Sequence, residues 1–142
     1  MIVLNPVLAS ATAMKLVQVA VGHAASKGWR VAVCVVDPAG AALASWRMDE
    51  VTPPIAEFAA DKAYTAATMR RSTAAYFERM EASASLRLGL ANRERLLVWG
   101  GGLPVVLDGK VIAGIGVSGA RDFEDIECAQ TALALKGLSW EV

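Results

Sequence analysis

The chain has 142 residues, the length of one domain, and its 55% hydrophobic and 20% charged content supplies a core and excludes a disordered chain. Lys and Arg number 14 and Asp and Glu number 14, so the formal charge is zero, which argues against the phosphate-neutralising chemistry of nucleic-acid binding. Two cysteines, Cys34 and Cys128, with no CxxC pair, exclude a zinc knuckle and a disulfide scaffold and read as buried small hydrophobes.

Asn5-Pro6 is a helix-start signal and Lys27-Gly28 a helix stop, so the first helix is expected over residues 6–27. At 100° per residue Ala13, Leu16, Val17, Ala20, Val21 and Ala24 share one face, with His23 at its border. The stretch Val7–Ala25 is apolar, but Lys15, Gln18 and His23 interrupt it and no cationic region precedes it, so neither a membrane span nor a signal peptide is expected. A soluble, cytoplasmic protein of a single domain over 1–142 is the expectation.

From Trp29 to Val36 the residues are mostly β-branched; Asp37-Pro38-Ala39-Gly40 then has turn chemistry, and Ala41–Met48 completes a hairpin. After Pro53-Pro54, helical spacing of Ile55, Phe58, Ala59, Lys62, Ala63 and Ala66 predicts a helix to about Thr68. A short helix over 72–81 and a loop over 82–95 follow. Leu96–Trp99 reads as a strand, Gly100-Gly101-Gly102 breaks it, and Asp108-Gly109 turns Leu103–Leu107 into Lys110–Val117. The last helix runs over 122–136, with Asp122, Glu124, Asp125 and Glu127 complementing its N-terminal dipole. Hairpin-joined strands with helices against them give an α+β class with a five-stranded antiparallel sheet.

Gly114-Ile115-Gly116-Val117-Ser118-Gly119 matches GxGxxG, but it lies inside the last strand with too little chain after it for a dinucleotide-binding βαβ unit. Close backbone approach by a helix or a ligand is the other use of such glycines. Gly100–Gly102 before Leu103-Pro104 is either a nest of peptide N–H groups for an anion or a plain strand break. Arg47 and Asp49 leave the second strand as either an anion grip or a surface ion pair. Lys62, on its alanine-rich helix, either reaches the same anion or snorkels to solvent. Thr73 reads locally as a helix N-cap. His23 is the single histidine, so one chain cannot build a two-histidine metal or haem site. Cys34 has no base near it in sequence and is assigned no nucleophilic role.

Five pieces in register resemble one family: Val35-Val36-Asp37 with Gly40, Arg47-Met48-Asp49, the run AADKAYTA at 59–66, Gly101-Gly102-Leu103-Pro104, and Gly114–Gly119. Their order and spacing resemble the GlcG/HbpS family of small haem-associated domains (DUF336), also seen as the C-terminal domain of PduO-type proteins. The resemblance implies a profilin-like or PAS-like fold, homo-oligomeric assembly, and haem or corrinoid binding, with haem degradation or redox sensing proposed for some members. It also implies that Thr73 corresponds to the family's threonine that approaches haem iron.

Two readings of function follow. In the first, the chain binds a tetrapyrrole: Arg47 and Lys62 face propionates, Gly101, Gly102, Pro104, Gly116, Ser118 and Gly119 line the ligand, and Thr73 or His23 is the axial candidate. In the second, a small catabolic enzyme acts by proton transfer or hydrolysis on a carboxylate or oxo acid, held by Arg47 or Arg121, with Asp49 and Lys62 as acid and base.

Overall fold

The two β-rich regions fold into hairpins joined through their inner strands, as seen in a computed structural model of residues 1–142. Strand β1 (Ala32–Val36) pairs with β2 (Ala42–Arg47), β3 (Gly102–Leu107) pairs with β4 (Lys110–Ser118), and β1 pairs with β4. All pairings are antiparallel, in the order β2-β1-β4-β3, so the class is α+β with four strands instead of five. The Asp108-Gly109 turn has positive φ at both residues, 50° and 75°, the twist that a two-residue hairpin requires. In the other hairpin the Asp37 carboxylate accepts from the N–H groups of Ala39 and Ala41 at 2.9 and 3.0 Å.

Helices cover both faces, which is why β1 is buried along its whole length. Helices α1 (Ser10–Ser26) and α5 (Asp122–Leu135) pack on each other and on one face. The six residues assigned by spacing to the inner face of α1 are the six it buries. Helix α2 (Pro53–Met69) covers the other face, followed by α3 (Thr73–Glu81) and α4 (Ala84–Leu90). Alternation along β4 points Ile115 and Val117 into the larger core and Gly114 and Gly116 at α2. There the helix backbone lies against the strand: a Cβ on Gly114 would sit 2.5 Å from the Ala63 carbonyl oxygen, and one on Gly116 would collide with that of Ala59. The glycines of the GxGxxG match therefore serve helix packing.

The two sheet edges differ. Edge strand β3 carries Pro104, which edge strands tolerate, and Val106 exchanges both backbone hydrogen bonds with Ser139, at 2.7 and 3.2 Å. Edge strand β2 has no such cover, and its Trp46 is exposed.

Several expected boundaries shift for local reasons. Helix α1 begins at Ser10, not at Pro6, because the preceding segment is drawn out along the sheet: Leu8 is buried and donates to the Ile112 carbonyl at 3.0 Å. Leu96–Trp99 is not a strand. Its backbone bonds to a helix side chain instead, with Leu97 N–H donating to Thr65 Oγ1 at 3.0 Å, and no strand lies beside it. The expected 82–95 loop contains α4, capped by the Ser83 hydroxyl, which accepts from Leu86 N–H. Ser72, not Thr73, caps α3, accepting from Ala75 N–H at 3.1 Å.

Replacing Gly116 by Ala forces α2 away from β4. We expect a loss of about 1–3 kcal/mol in urea-unfolding free energy, the usual cost of overpacking a filled core. The same substitution at Gly22, whose Cβ would meet nothing within 4 Å, leaves the unfolding midpoint unchanged or raised.

Candidate functional site

Lys62 is the largest fully buried side chain of the protein, 1% exposed. The alanine ridge of α2 brings its ammonium to the end of the sheet, where Nζ donates to the Val117 carbonyl at 2.9 Å and to Asp125 Oδ2 at 3.2 Å. The other carboxylate oxygen of Asp125 accepts from Ala120 N–H at 3.1 Å. The pair thus joins α2 on one face to α5 on the other. Burial pulls the Lys62 ammonium below its usual pKa, against the pull of Asp125. Burial raises Asp125 to about 6, with the Lys62 charge and the Ala120 N–H opposing. Lys62 therefore does not snorkel to solvent; its ammonium already has an internal anion.

Gly101 lies against this pair. Its φ of 128° belongs to glycine, and a Cβ there would sit 3.0 Å from Lys62 Nζ. Thr73, fully buried at the start of α3, fixes the same loop: its hydroxyl donates to the Trp99 carbonyl at 2.7 Å and accepts from Gly102 N–H at 3.0 Å. Trp99 is thereby held half-exposed, edge-on to Phe58 with ring centroids 5.1 Å apart. A Cβ on Gly100 would lie 3.4 Å from that of Asp122, so the start of α5, with exposed Arg121 just before it, lies against this loop. The loop before it is tied down by Thr65, which donates to the Arg95 carbonyl at 2.9 Å, and by Arg95 over the Tyr64 ring at 4.1 Å.

The structure brings Lys62, Thr73, Gly101, Gly102, Val117 and Asp125 together, with Gly116 and Pro104 in the adjoining strands. Ser118 and Arg47 share this end of the sheet through the register Arg47–Ala32–Ser118. Arg47 nevertheless belongs to the far edge, three strand spacings or about 14 Å from β3, and its guanidinium donates to the Val51 carbonyl. Asp49 is exposed, and no hydrogen bond or ion pair joins it to Lys62. Gly119, with φ of 122°, packs on the Arg30 carbonyl. His23 is on the opposite layer, where Nε2 is 2.7 Å from Glu127 Oε2 and the ring meets Trp29 edge-on. Burial pushes the Cys34 thiol up to about 11 and the Cys128 thiol up to about 12, which leaves both without thiolate character at neutral pH.

Residues 8–134 match the family described as haem degrading protein HbpS-like. The chain belongs to the HbpS-like family. This HbpS-like chain is 39% identical over 124 residues to a 15.0 kDa protein from the dhaT-dhaS intergenic region of Citrobacter freundii, covering 87% of each. It is similar in fold to the crystal structure of a PduOC:heme complex, with a TM-score of 0.87 and 28% identity over 96% of this chain and 99% of that one. It is likewise similar to a double mutant of Streptomyces reticuli HbpS, with a TM-score of 0.86 and 30% identity over 94% and 90%.

Sequence reasoning missed two parts of this HbpS-like site. By its place in the first turn of α5 Asp125 suits the helix dipole, yet it shares the 3.6-residue stripe of Cys128, Ala129, Ala132 and Leu133, the buried face of α5. A carboxylate on an apolar stripe signals a buried partner. The Phe58–Trp99 pair joins segments 41 residues apart, and no local pattern carries it.

Two outcomes test the buried pair. Lys62→Met leaves an uncompensated buried carboxylate, and we expect a loss of about 3–5 kcal/mol in chemical denaturation. Asp125 binds its proton more tightly when folded, about 6 against a usual 3.8, so its contribution to stability is full below the lower value and fades as pH rises through the higher. Urea unfolding of wild type and Asp125→Asn across that range should show the wild type gaining on the variant as pH falls.

Proposed function

We propose that the chain binds haem or a closely related tetrapyrrole at the aromatic end of the sheet. The observation that carries this reading is the half-exposed Trp99 ring, set edge-on to the partly buried Phe58 and held in place by the buried Gly100–Gly102 backbone. A planar macrocycle buries apolar area against such rings, and aromatic contacts add about 0.5–1.5 kcal/mol beyond that area. Family membership and the likeness to a heme-bound relative support the same ligand. The residues fit the organic part of the group: Arg121, at the start of α5, is the cation for a propionate, reinforced by the positive end of the helix dipole.

In this reading Thr73 acts through the loop it holds, since its hydroxyl already bonds Trp99 and Gly102. Gly101, Gly102 and Pro104 shape the wall of the site, and Gly116, Ser118 and Gly119 support it from β4 and its end. His23, engaged by Glu127, stands outside it. Lys62 supports the wall from within. Haem degradation or sensing would be exercised on the ligand bound here. The uncovered edge strand β2, with its exposed Trp46, supports self-association into a homo-oligomer, measurable as native mass; a monomer at every concentration would reject it.

Titration of the purified protein with hemin tests the binding. The expected result is a Soret shift saturating at one equivalent per subunit, with affinity reduced by at least about 2- to 13-fold in Trp99→Ala, more as the ring's buried area is lost with it, and reduced also in Arg121→Ala. Absorbance that rises without saturation, or full affinity in both variants, overturns the reading.

A further inference from the structure

Two backbone segments lie side by side here: the loop Trp99–Gly102, which carries one ring of the aromatic pair, and the turn Ala120–Asp122, where the Asp122 Cβ is 3.4 Å from a Cβ built on Gly100. One precedes β3 and the other follows β4, so both lie at the open end of the β3–β4 hairpin, and α5 follows the second. A single set of contacts runs from one to the other. Gly101 O accepts from Val117 N–H at 2.9 Å, the Val117 carbonyl accepts from Lys62 at 2.9 Å, Lys62 meets Asp125 at 3.2 Å, and Asp125 accepts from Ala120 N–H at 3.1 Å. A Cβ on Gly101 would collide with the Val117 carbonyl oxygen and lie 3.0 Å from both Asp125 Cβ and Lys62 Nζ, so the same contacts leave this residue no room for a side chain.

Stability alone does not account for the pair. Desolvating two charges offsets most of their attraction, and well-packed apolar residues of similar volume commonly replace a buried ion pair at no loss. What an apolar pair does not reproduce is direction, because only a donor and an acceptor fix the Val117 carbonyl and the Ala120 N–H in place. The side chains of Lys62 and Asp125 are only 2% and 1% exposed, so neither is available to a ligand.

We propose that Lys62 and Asp125 are positioning residues of the ligand surface, their ion pair setting the spacing between the Trp99–Gly102 loop and the Ala120–Asp122 turn. The identity of the ligand rests on the haem reading above; the positioning itself does not. Lys62 holds the loop side, through Val117 and Gly101, and Asp125 holds the turn side, through Ala120. The two sides separate by substitution. Lys62→Met with Asp125→Asn removes both charges and keeps an acceptor for Ala120 N–H. Lys62→Met with Asp125→Leu removes the acceptor as well.

Amide hydrogen exchange on the ligand-free protein and hemin titration of the same samples decide the matter. In the Asn variant, exchange is expected to accelerate about tenfold in 99–102 and to stay unchanged in 118–121. In the Leu variant both segments should accelerate while the central strands keep wild-type protection. Hemin affinity should fall in the order wild type, Asn variant, Leu variant, by about tenfold at the last step. Acceleration spread evenly over the whole chain, or wild-type exchange and affinity in the Leu variant, overturns the proposal. If the Leu variant does not fold, the contrast between the two segments in the Asn variant decides alone. If the wild type fails to bind hemin, the haem reading falls, and the exchange pattern still decides the positioning role.

Discussion

The contact of α2 with β4 is the constraint on which the rest of the molecule depends. Ala59, Ala63 and Ala67 on the helix meet Gly114 and Gly116 on the strand, with no side chain larger than a methyl group between the two backbones. Dispersion attraction is strongest where surfaces interlock without gaps, and small residues allow that at backbone distance. A larger residue on either side would lift the helix. The depth of α2 sets where every other residue along it ends up.

Lys62 is the first beneficiary. It sits between Ala59 and Ala63 on a helix pressed against the sheet, so its stem has no path to solvent and its ammonium is carried to the end of β4. Only there does an acidic partner from the other layer come within reach. The glycines of β3 follow from the same geometry: Gly102 lies where a Cβ would meet the Lys62 carbonyl at 2.5 Å, and Gly101 lies against Nζ. Thr73 then anchors the loop from α3, and the aromatic pair forms because Phe58, one turn before Lys62, is at the height of Trp99. Packing, charge pairing and the presentation of an aromatic surface are successive results of one close approach.

Elements whose determinants are local were legible. The stripe of α1 and the Asp108-Gly109 turn follow from period and from positive-φ preference, and α2 follows from its apolar spacing. Leu96–Trp99 has strand-like composition, but a strand exists only with a partner, and its Leu97 N–H found the Thr65 hydroxyl. Helix α4 buries none of its residues, so it has no apolar stripe to read and depends on the Ser83 cap. In the site, the glycines and Thr73 were visible as residues while their service to the protein's own backbone was not. Lys62 and Asp125 are 63 positions apart, and only the stacking of two layers across a sheet makes them neighbours. The five motifs nevertheless indicated the family, because a family pattern stores long-range geometry that periodicity does not express.

One asymmetry of the sheet reaches beyond the single molecule. The C-terminal segment bridges the outer rim of β3 at Val106, whereas the outer rim of β2, with no charge between Ala42 and Trp46, offers unpaired peptide groups to any extended chain of matching polarity. A ribbon that can lengthen on one side only stops after a single addition. Two copies meeting rim to rim about a twofold axis would make an eight-stranded layer whose outer strands are each partly covered by the Ser139 bridge, so the architecture favours a closed pair over continued growth along this direction.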